Sequence, residues 1–285
     1  MREYQNSPSE LTGHLREPAQ KTNMNGTSDS SWNNTSSGAL DMIQADPENE
    51  QSKTKQRGPR TTLQARYLLR FSILGDLRFI SHRDTMRLFE RALLRAKLPV
   101  QYSEGFNPHV RLSLPLPRSV GIAARNEVLI FGAKAEFDSQ EALERMRQQS
   151  PVGLDIQSLA PLEAKKPPQP VRAVYELDLA SDSHESDRPD FIALNRAVEE
   201  LRRSETWPIE RATGGNPNSG RRQIDLRAGI EDIDLQENRL RMILHVRQTG
   251  SPKPAEVLNV LGLPAEHWTH RLTRMRIDFS PPLPD

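Results

Sequence analysis

An α+β fold, a tandem of ferredoxin-like (β-α-β-β-α-β) sandwiches behind a disordered polar tail, is predicted by three observations. Apolar alternation and amphipathic periodicity follow the order strand, helix, strands, helix, strand over residues 63–162. A charged, proline-rich stretch, EAKKPPQP, covers residues 163–170. The same order then returns over residues 171–285. The repeat is one of element order and not of residue identity.

The elements follow from local signals. Residues 1–62 are rich in Ser, Thr, Asn, Gln, Glu and Pro, as in NMNGTSDSSWNNTSSG. Such a segment cannot bury enough apolar surface to offset its chain entropy, which predicts disorder. Trp32 and Ala39–Ile43 are its candidate partner-binding peptide. Order is expected from Arg66, where RYLLRFSILG alternates into a strand ended by Gly75. In FISHRDTMRLFERALLRAKL, Ser81 and Asp84 have N-cap and N3 spacing. Met86, Phe89, Leu93 and Ala96 share one helical face there, and Pro99 bounds the helix. VQYSEGF and HVRLSLPLP read as two strand-like arms around a loop. EVLIFGAKAEF is a strand, DSQEALERMRQQS a helix capped by Asp138 or Ser139, and GLDIQSLAPL a closing strand.

EAKKPPQP is expected to act as a semi-rigid linker. Beyond it, VYELDLA is a strand, DFIALNRAVEELRRSE a helix and WPIERAT a strand. GGNPNSGRR is a loop, and QIDLRAGIEDIDLQENRLRMILHV supplies strands about a turn near Glu237–Asn238. KPAEVLNVLGL is a short helix with Gly262 near its end, and THRLTRMRIDF closes the unit. Trp207, before Pro208, is expected in core or strand-edge packing.

Composition removes several function classes. The 285 residues contain no cysteine, which excludes disulfides, thiolate zinc sites, cysteine nucleophiles and an iron–sulfur cluster ligated by this chain. The formal net charge is only +1. No apolar run approaches the roughly 18–20 residues that span a bilayer, and no signal-peptide core opens the chain, so a cytoplasmic protein is expected. Aromatic residues are 5% of the total, and no interleaved basic–aromatic platform for RNA is visible.

The near-neutral total hides a basic first half: residues 66–137 hold twelve Lys/Arg against six Asp/Glu. Arg83, Arg87, Arg91 and Arg95 recur every fourth residue, a row that drifts slowly round the helix. Like charges so spaced repel, with Asp84 and Glu90 positioned to relieve part of it. Planar guanidinium groups grip phosphate oxygens in pairs, so the row is either a phosphate-facing ridge or a solvated face. The loop in YSEGFNPHVRLSLPLP is the second candidate. Gly105 permits positive φ or close approach of a ligand, and Pro108 holds Asn107 in an extended or turn conformation, where its side chain can hydrogen-bond its own turn. His109 and Arg111 alternate onto one side of the following strand. Arg83, Arg87, Arg91, Arg95, Gly105, Asn107, His109 and Arg111 are therefore the candidate binding residues. If the two elements are adjacent, His82, His109, Arg83 and Arg111 line one concave surface.

Two other readings stay open. A metal-independent endoribonuclease would use His82 and His109 as base and acid, with arginine on the phosphorane. A protein-interaction scaffold would use the basic face to dock an acidic partner without nucleic acid. His82 and Asp84 do not suit a metal, because i and i+2 leave a helix on different sides. GGNPNSGRR, with Gly214, Gly215, Gly220, Arg221 and Arg222, is either a mobile basic loop or a tolerated insertion.

The stretch RFSILGDLRFISHRDTMRLFERALLRAKLPVQYSEGFNPHVRLSLPLPRSVG resembles the signature region of a bacterial family of unknown function, the radical-SAM-linked proteins. Phe79, Ser81 and His82 opening the helix carry that resemblance, with Asp84, Arg91, Tyr102, Ser103 and the Gly-Phe-Asn-Pro-His loop. It covers Arg66 to about Leu162 well and the rest loosely. It implies the stand-alone form and partnership with a cobalamin-type radical SAM protein, without a known reaction. Joined to the arginine row, the leading reading is a non-catalytic accessory that presents RNA or another anionic substrate to that partner and binds no cofactor itself. The tandem architecture also resembles the CRISPR repeat-processing endoribonucleases, a likeness of fold that favours RNA as ligand.

Overall fold

A computed structural model describes residues 65–163, 168–180, 189–212 and 220–284. The tail with its Trp32 peptide, the middle of EAKKPPQP, Gly214 and Gly215 lie outside the described residues. The first half runs β1 (Ala65–Ile73), α1 (His82–Arg95), β2 (Leu112–Ser113), β3 (Ala123–Ala133), α2 (Ser139–Gln148) and β4 (Leu154–Pro161). The second runs β5 (Gln169–Asp178), α3 (Phe191–Arg203), β6 (Pro208–Ala212), β7 (Arg221–Asp225), β8 (Ile230–Gln236) and β9 (Arg239–His245). It ends with α4 (Pro254–Val260), α5 (Ala265–Trp268) and β10 (Leu272–Ser280). The fold is α+β on one mixed sheet, in the order β4-β1-β3-β10-β5-β9-β8, with β2 added to β3. β6 and β7 pair separately as a two-stranded hairpin. Among the described residues no helix is long and apolar enough to cross a membrane.

Alternation in β1 sorts its side chains between two cores. Tyr67, Leu69, Phe71 and Ile73 pack with Phe89, Leu93 and Met146 from α1 and α2. Leu68 faces the other way, with Val128, Leu162, Ile277 and Phe279. In the second half, Leu177, Leu240 and Met242 pack with Leu194, Val198 and Leu201 of α3 and Leu258 of α4, and Trp207 lies partly buried at the margin. Full burial of each such side chain contributes about 1.5–3 kcal/mol.

Caps set the helix starts. The Ser81 hydroxyl accepts from Asp84 N at 3.1 Å, and the Asp138 carboxylate from Glu141 N at 2.8 Å. Asp190 accepts from the amides of Ile192 and Ala193 at 2.9 and 3.1 Å. Met86 is only half-buried; the inner face of α1 is Thr85, Phe89, Ala92 and Leu93. The two arms expected around the loop form less strand than their alternation suggests. Leu112–Ser113 pairs with β3, and Val100–Ala133 and Tyr102–Val110 are single bridges. Pro99, Pro108, Pro115 and Pro117 have no N–H to donate, which stops the ladders from extending.

The two halves meet where β3 and β10 run parallel, paired only at Ala123–Thr273 and Ala124–Arg274. Beside this short ladder Arg274 is 1% exposed. Its Nε and Nη2 donate to the two carboxylate oxygens of Glu127 at 2.7 and 2.6 Å. Nη2 also donates to Leu116 O at 3.0 Å and Nη1 to Pro117 O at 3.3 Å. Burial alone would push the Arg274 guanidinium down; the charge and hydrogen bonds of Glu127, joined by Tyr175, carry it above its ordinary value instead.

Two outcomes follow for stability. Glu127→Ala leaves a buried guanidinium without its counter-charge and should cost about 3–5 kcal/mol, read from the urea midpoint. Glu127→Leu with Arg274→Met should recover about half or more of that; a double variant no better than the single one would contradict the assignment. Gly153 sits at φ +90°, where a Cβ would lie 2.6 Å from the Leu74 carbonyl oxygen. Gly153→Ala should lower stability by about 1–3 kcal/mol in the same measurement.

Candidate nucleic-acid interface

α1 carries its arginines outward. Arg83, Arg87, Arg91 and Arg95 are all exposed, and Leu94 lies among them 46% exposed. Arg87 pairs with Asp84 at 3.5 Å. The Asp84 carboxyl is held below its usual range first by the Ser81 hydroxyl, which donates to it at 2.7 Å, and then by Arg87. Among the described residues Arg83, Arg91 and Arg95 have no acidic partner, and Glu90, expected to relieve the row, pairs with none of them. Three of the four charges are therefore uncompensated.

The loop of the second candidate is a closed hairpin. Ser103 N donates to His109 O at 2.7 Å, and His109 N donates to the Ser103 hydroxyl at 3.0 Å. Arg111 N donates to Gln101 O at 2.7 Å, Gln101 N to Gly132 O at 2.8 Å and Gly132 N to Arg111 O at 2.9 Å, which roots the hairpin on β3. The Lys134 ammonium lies 5.0 Å from the centroid of the Tyr102 ring. Asn107, expected to close its own turn, makes no side-chain hydrogen bond among the described residues; Ser103 does the closing. Gly105 adopts φ +131°, and a Cβ there would meet nothing within 4 Å, so backbone conformation is what the glycine serves. Phe106 beside it stands fully exposed at the tip.

His109 and Arg111 are exposed on either side of buried Val110, as their alternation implies. Arg111 lines a hollow of about 790 Å³ with Arg66, Gln101, Ser113, Ile130 and Pro170. His82 lines a different, narrow cleft of about 10 Å³ with Thr85, Leu116, Arg118 and Glu127. Of the second-half loop, Arg221 is paired with Glu210 across the hairpin at 2.8 Å, and Arg222 is exposed. Among the described residues no three His, Asp or Glu side chains are placed to hold a metal ion.

The residues that sequence reading passed over are Arg118, Glu127 and Arg274. Arg118 Nη1 donates to the carbonyls of Arg78 and Ile122, both at 2.6 Å, and to Ser119 O at 3.3 Å. Nη2 reaches Ile80 O at 3.4 Å and Leu77 O at 3.5 Å. The one side chain thus ties the turn before α1 to the turn before β3. Burial pushes its guanidinium down, Glu127 offsets part of that, and Arg274 adds to it. The available signal was Glu127 as the lone charge in the apolar stretch EVLIFGA; Arg274 shares LTRMRIDF with Arg276 and Asp278 and does not stand out there.

No curated protein matches the chain significantly. The family model described as an uncharacterised protein conserved in bacteria (DUF2344) matches residues 66–254, which takes in α1, the hairpin, the β3 side of the seam and the second half through the start of α4. The chain belongs to that bacterial family.

Proposed function

We propose that this chain is a non-catalytic accessory protein that binds RNA, or another anionic substrate, on its first-half basic face and presents it to a cobalamin-type radical SAM partner. One observation carries the reading: four exposed arginines on successive turns of α1, three of them without an acidic partner among the described residues. Holding such a row on one helix costs repulsion energy, which bound phosphates would relieve. The same half carries a second exposed set on the hairpin, His109 and Arg111 with the Phe106 ring. The partner rests on the resemblance of the Phe79–His109 signature to radical-SAM-linked proteins. We also read each half as a ferredoxin-like unit, a reading supported by the strand orders β4-β1-β3-β2 and β10-β5-β9-β8, with β6 and β7 as an insertion.

Two measurements test this. Arg87→Glu with Arg91→Glu should abolish RNA retention on filters at low salt and move the thermal midpoint by no more than about 2 °C. Each phosphate left unneutralised should reduce the slope of log affinity against log salt by about 0.7 for a single strand. A folded double variant that keeps its RNA would sink the reading. Affinity capture of the tagged full-length protein at low salt should enrich both a radical SAM enzyme and RNA. A protein partner without RNA would make the arginine row a docking face instead.

A further inference from the structure

The face of the first-half sheet turned away from α1 brings two arginines together. On β1, Tyr67 and Leu69 pack against the helices, so Arg66 leaves on the opposite side with Leu68. Directly opposite residues of antiparallel strands share a face. Gly132 is opposite Arg66, Ile130 is opposite Leu68, and Ser113 is opposite Ile130. Arg111, two residues before Ser113, follows it onto that face. The Arg66 carbonyl accepts from Leu162 N at 2.7 Å, on the β4 side. Arg66 and Gly132 therefore form a non-hydrogen-bonded pair, in which Cα atoms approach to about 4.5 Å and side chains stand closest. On its other edge Gly132 belongs to the closed ring of main-chain bonds with Gln101 and Arg111. Arg66 and Arg111 thus flank one glycine. A Cβ on Gly132 would lie 2.7 Å from Oε1 of Gln101, so the Gln101 carboxamide fills the space above it.

These groups line the hollow of about 790 Å³ already described, a size within the roughly 300–1,000 Å³ of small-molecule sites. Among the described residues no Asp or Glu lines it. Ser113 adds a hydroxyl, and Ile130 and Pro170 supply apolar wall. The Arg111 guanidinium and the Gln101 carboxamide make no hydrogen bond or ion pair among the described residues. Two fixed positive charges without a negative one suit a ligand that carries two negative charges. A phosphate monoester carries about −1.5 to −2 at pH 7 and presents three strong acceptor oxygens. Guanidinium forks match that geometry, two donors to each. A single carboxylate would leave one arginine unanswered.

We infer that this hollow binds a phosphate monoester, its phosphate between Arg66 and Arg111 and in reach of the Gln101 carboxamide, its organic part against Ile130 and Pro170. Gly132 then serves to keep the ground between the two arginines open. A small phosphate ester and the 5′-phosphorylated end of an RNA strand offer the same group. The inference shares Arg111 with the hairpin set of the RNA reading and no residue with α1.

Calorimetric titration of the full-length protein with phenyl phosphate tests it, against phenyl sulfate, which has the same shape and one negative charge. Phenyl phosphate should bind saturably at neutral pH, and phenyl sulfate about tenfold weaker or worse. Arg111→Gln should weaken phenyl phosphate about tenfold, and adding Arg66→Gln should remove saturable binding. Arg111 is exposed, so the single variant keeps the test decisive even where the double variant unfolds; the thermal midpoint without ligand is the folding control. The Arg87→Glu/Arg91→Glu variant should bind phenyl phosphate as the unaltered chain does, so failure here and failure of the RNA face are distinguishable. Displacement by a 5′-phosphorylated RNA and not by its 5′-hydroxyl form assigns the hollow to a strand end; binding without such displacement assigns it to a small phosphate ester. No saturable heat at millimolar phenyl phosphate, equal affinity for phenyl sulfate, or undiminished affinity in the folded Arg111→Gln variant overturns it.

Discussion

The bidentate contact between Arg274 and Glu127 is the constraint on which the rest of the architecture depends. The halves share only two paired positions of backbone ladder, so hydrogen bonding along β3 and β10 is too short to fix their alignment alone. A buried ion pair adds orientation, because a planar guanidinium accepts a carboxylate in one geometry. Arg274 also gathers the carbonyls of Leu116 and Pro117, so the segment after β2 is held across the seam by the same group. Arg118, a residue beyond those carbonyls, fastens the turn before α1 through the carbonyls of Leu77, Arg78 and Ile80 and the turn before β3 through those of Ser119 and Ile122. From one buried carboxylate, the arrangement propagates to the start of the arginine helix.

That chain of contacts matters for the α1 face. Repelling side chains on an isolated helix would splay and fray it. Here the helix is capped by Ser81, packed through Phe89 and Leu93 and approached by a turn pinned to the seam, so its arginines keep their spacing. The hairpin has the same logic: its exposed ring and its His109 and Arg111 are carried by backbone bonds to Gly132. In both places a rigid base presents groups that make few contacts of their own.

The order of elements was legible in the sequence because alternation and periodicity act locally, and the caps Ser81 and Asp138 are local too. The outward placement of Arg83, Arg87, Arg91 and Arg95 follows from helical periodicity, since Phe89 and Leu93 take the opposite side. What could not be read was anything that depends on distant partners. Glu127 and Arg274 are separated by 147 residues and look like unrelated charges until two strands meet. The shared sheet was hidden for the same reason, and a proline-rich stretch between the halves reads as a boundary although the strands beside it belong to one ladder system. His82 and Arg111 likewise line different hollows, a separation set by packing between distant segments.

The parallel junction of β3 and β10 also bears on self-association. Were the chain severed between the halves, each fragment would present a strand edge with unpaired amides and carbonyls and, next to it, one buried charge laid open. Such an edge is a template for pairing with another copy, and the orphaned Glu127 or Arg274 would favour the complementary half as that copy. Two fragments produced together should therefore find one another more readily than either tolerates standing alone, and the seam is the natural place to look for complementation.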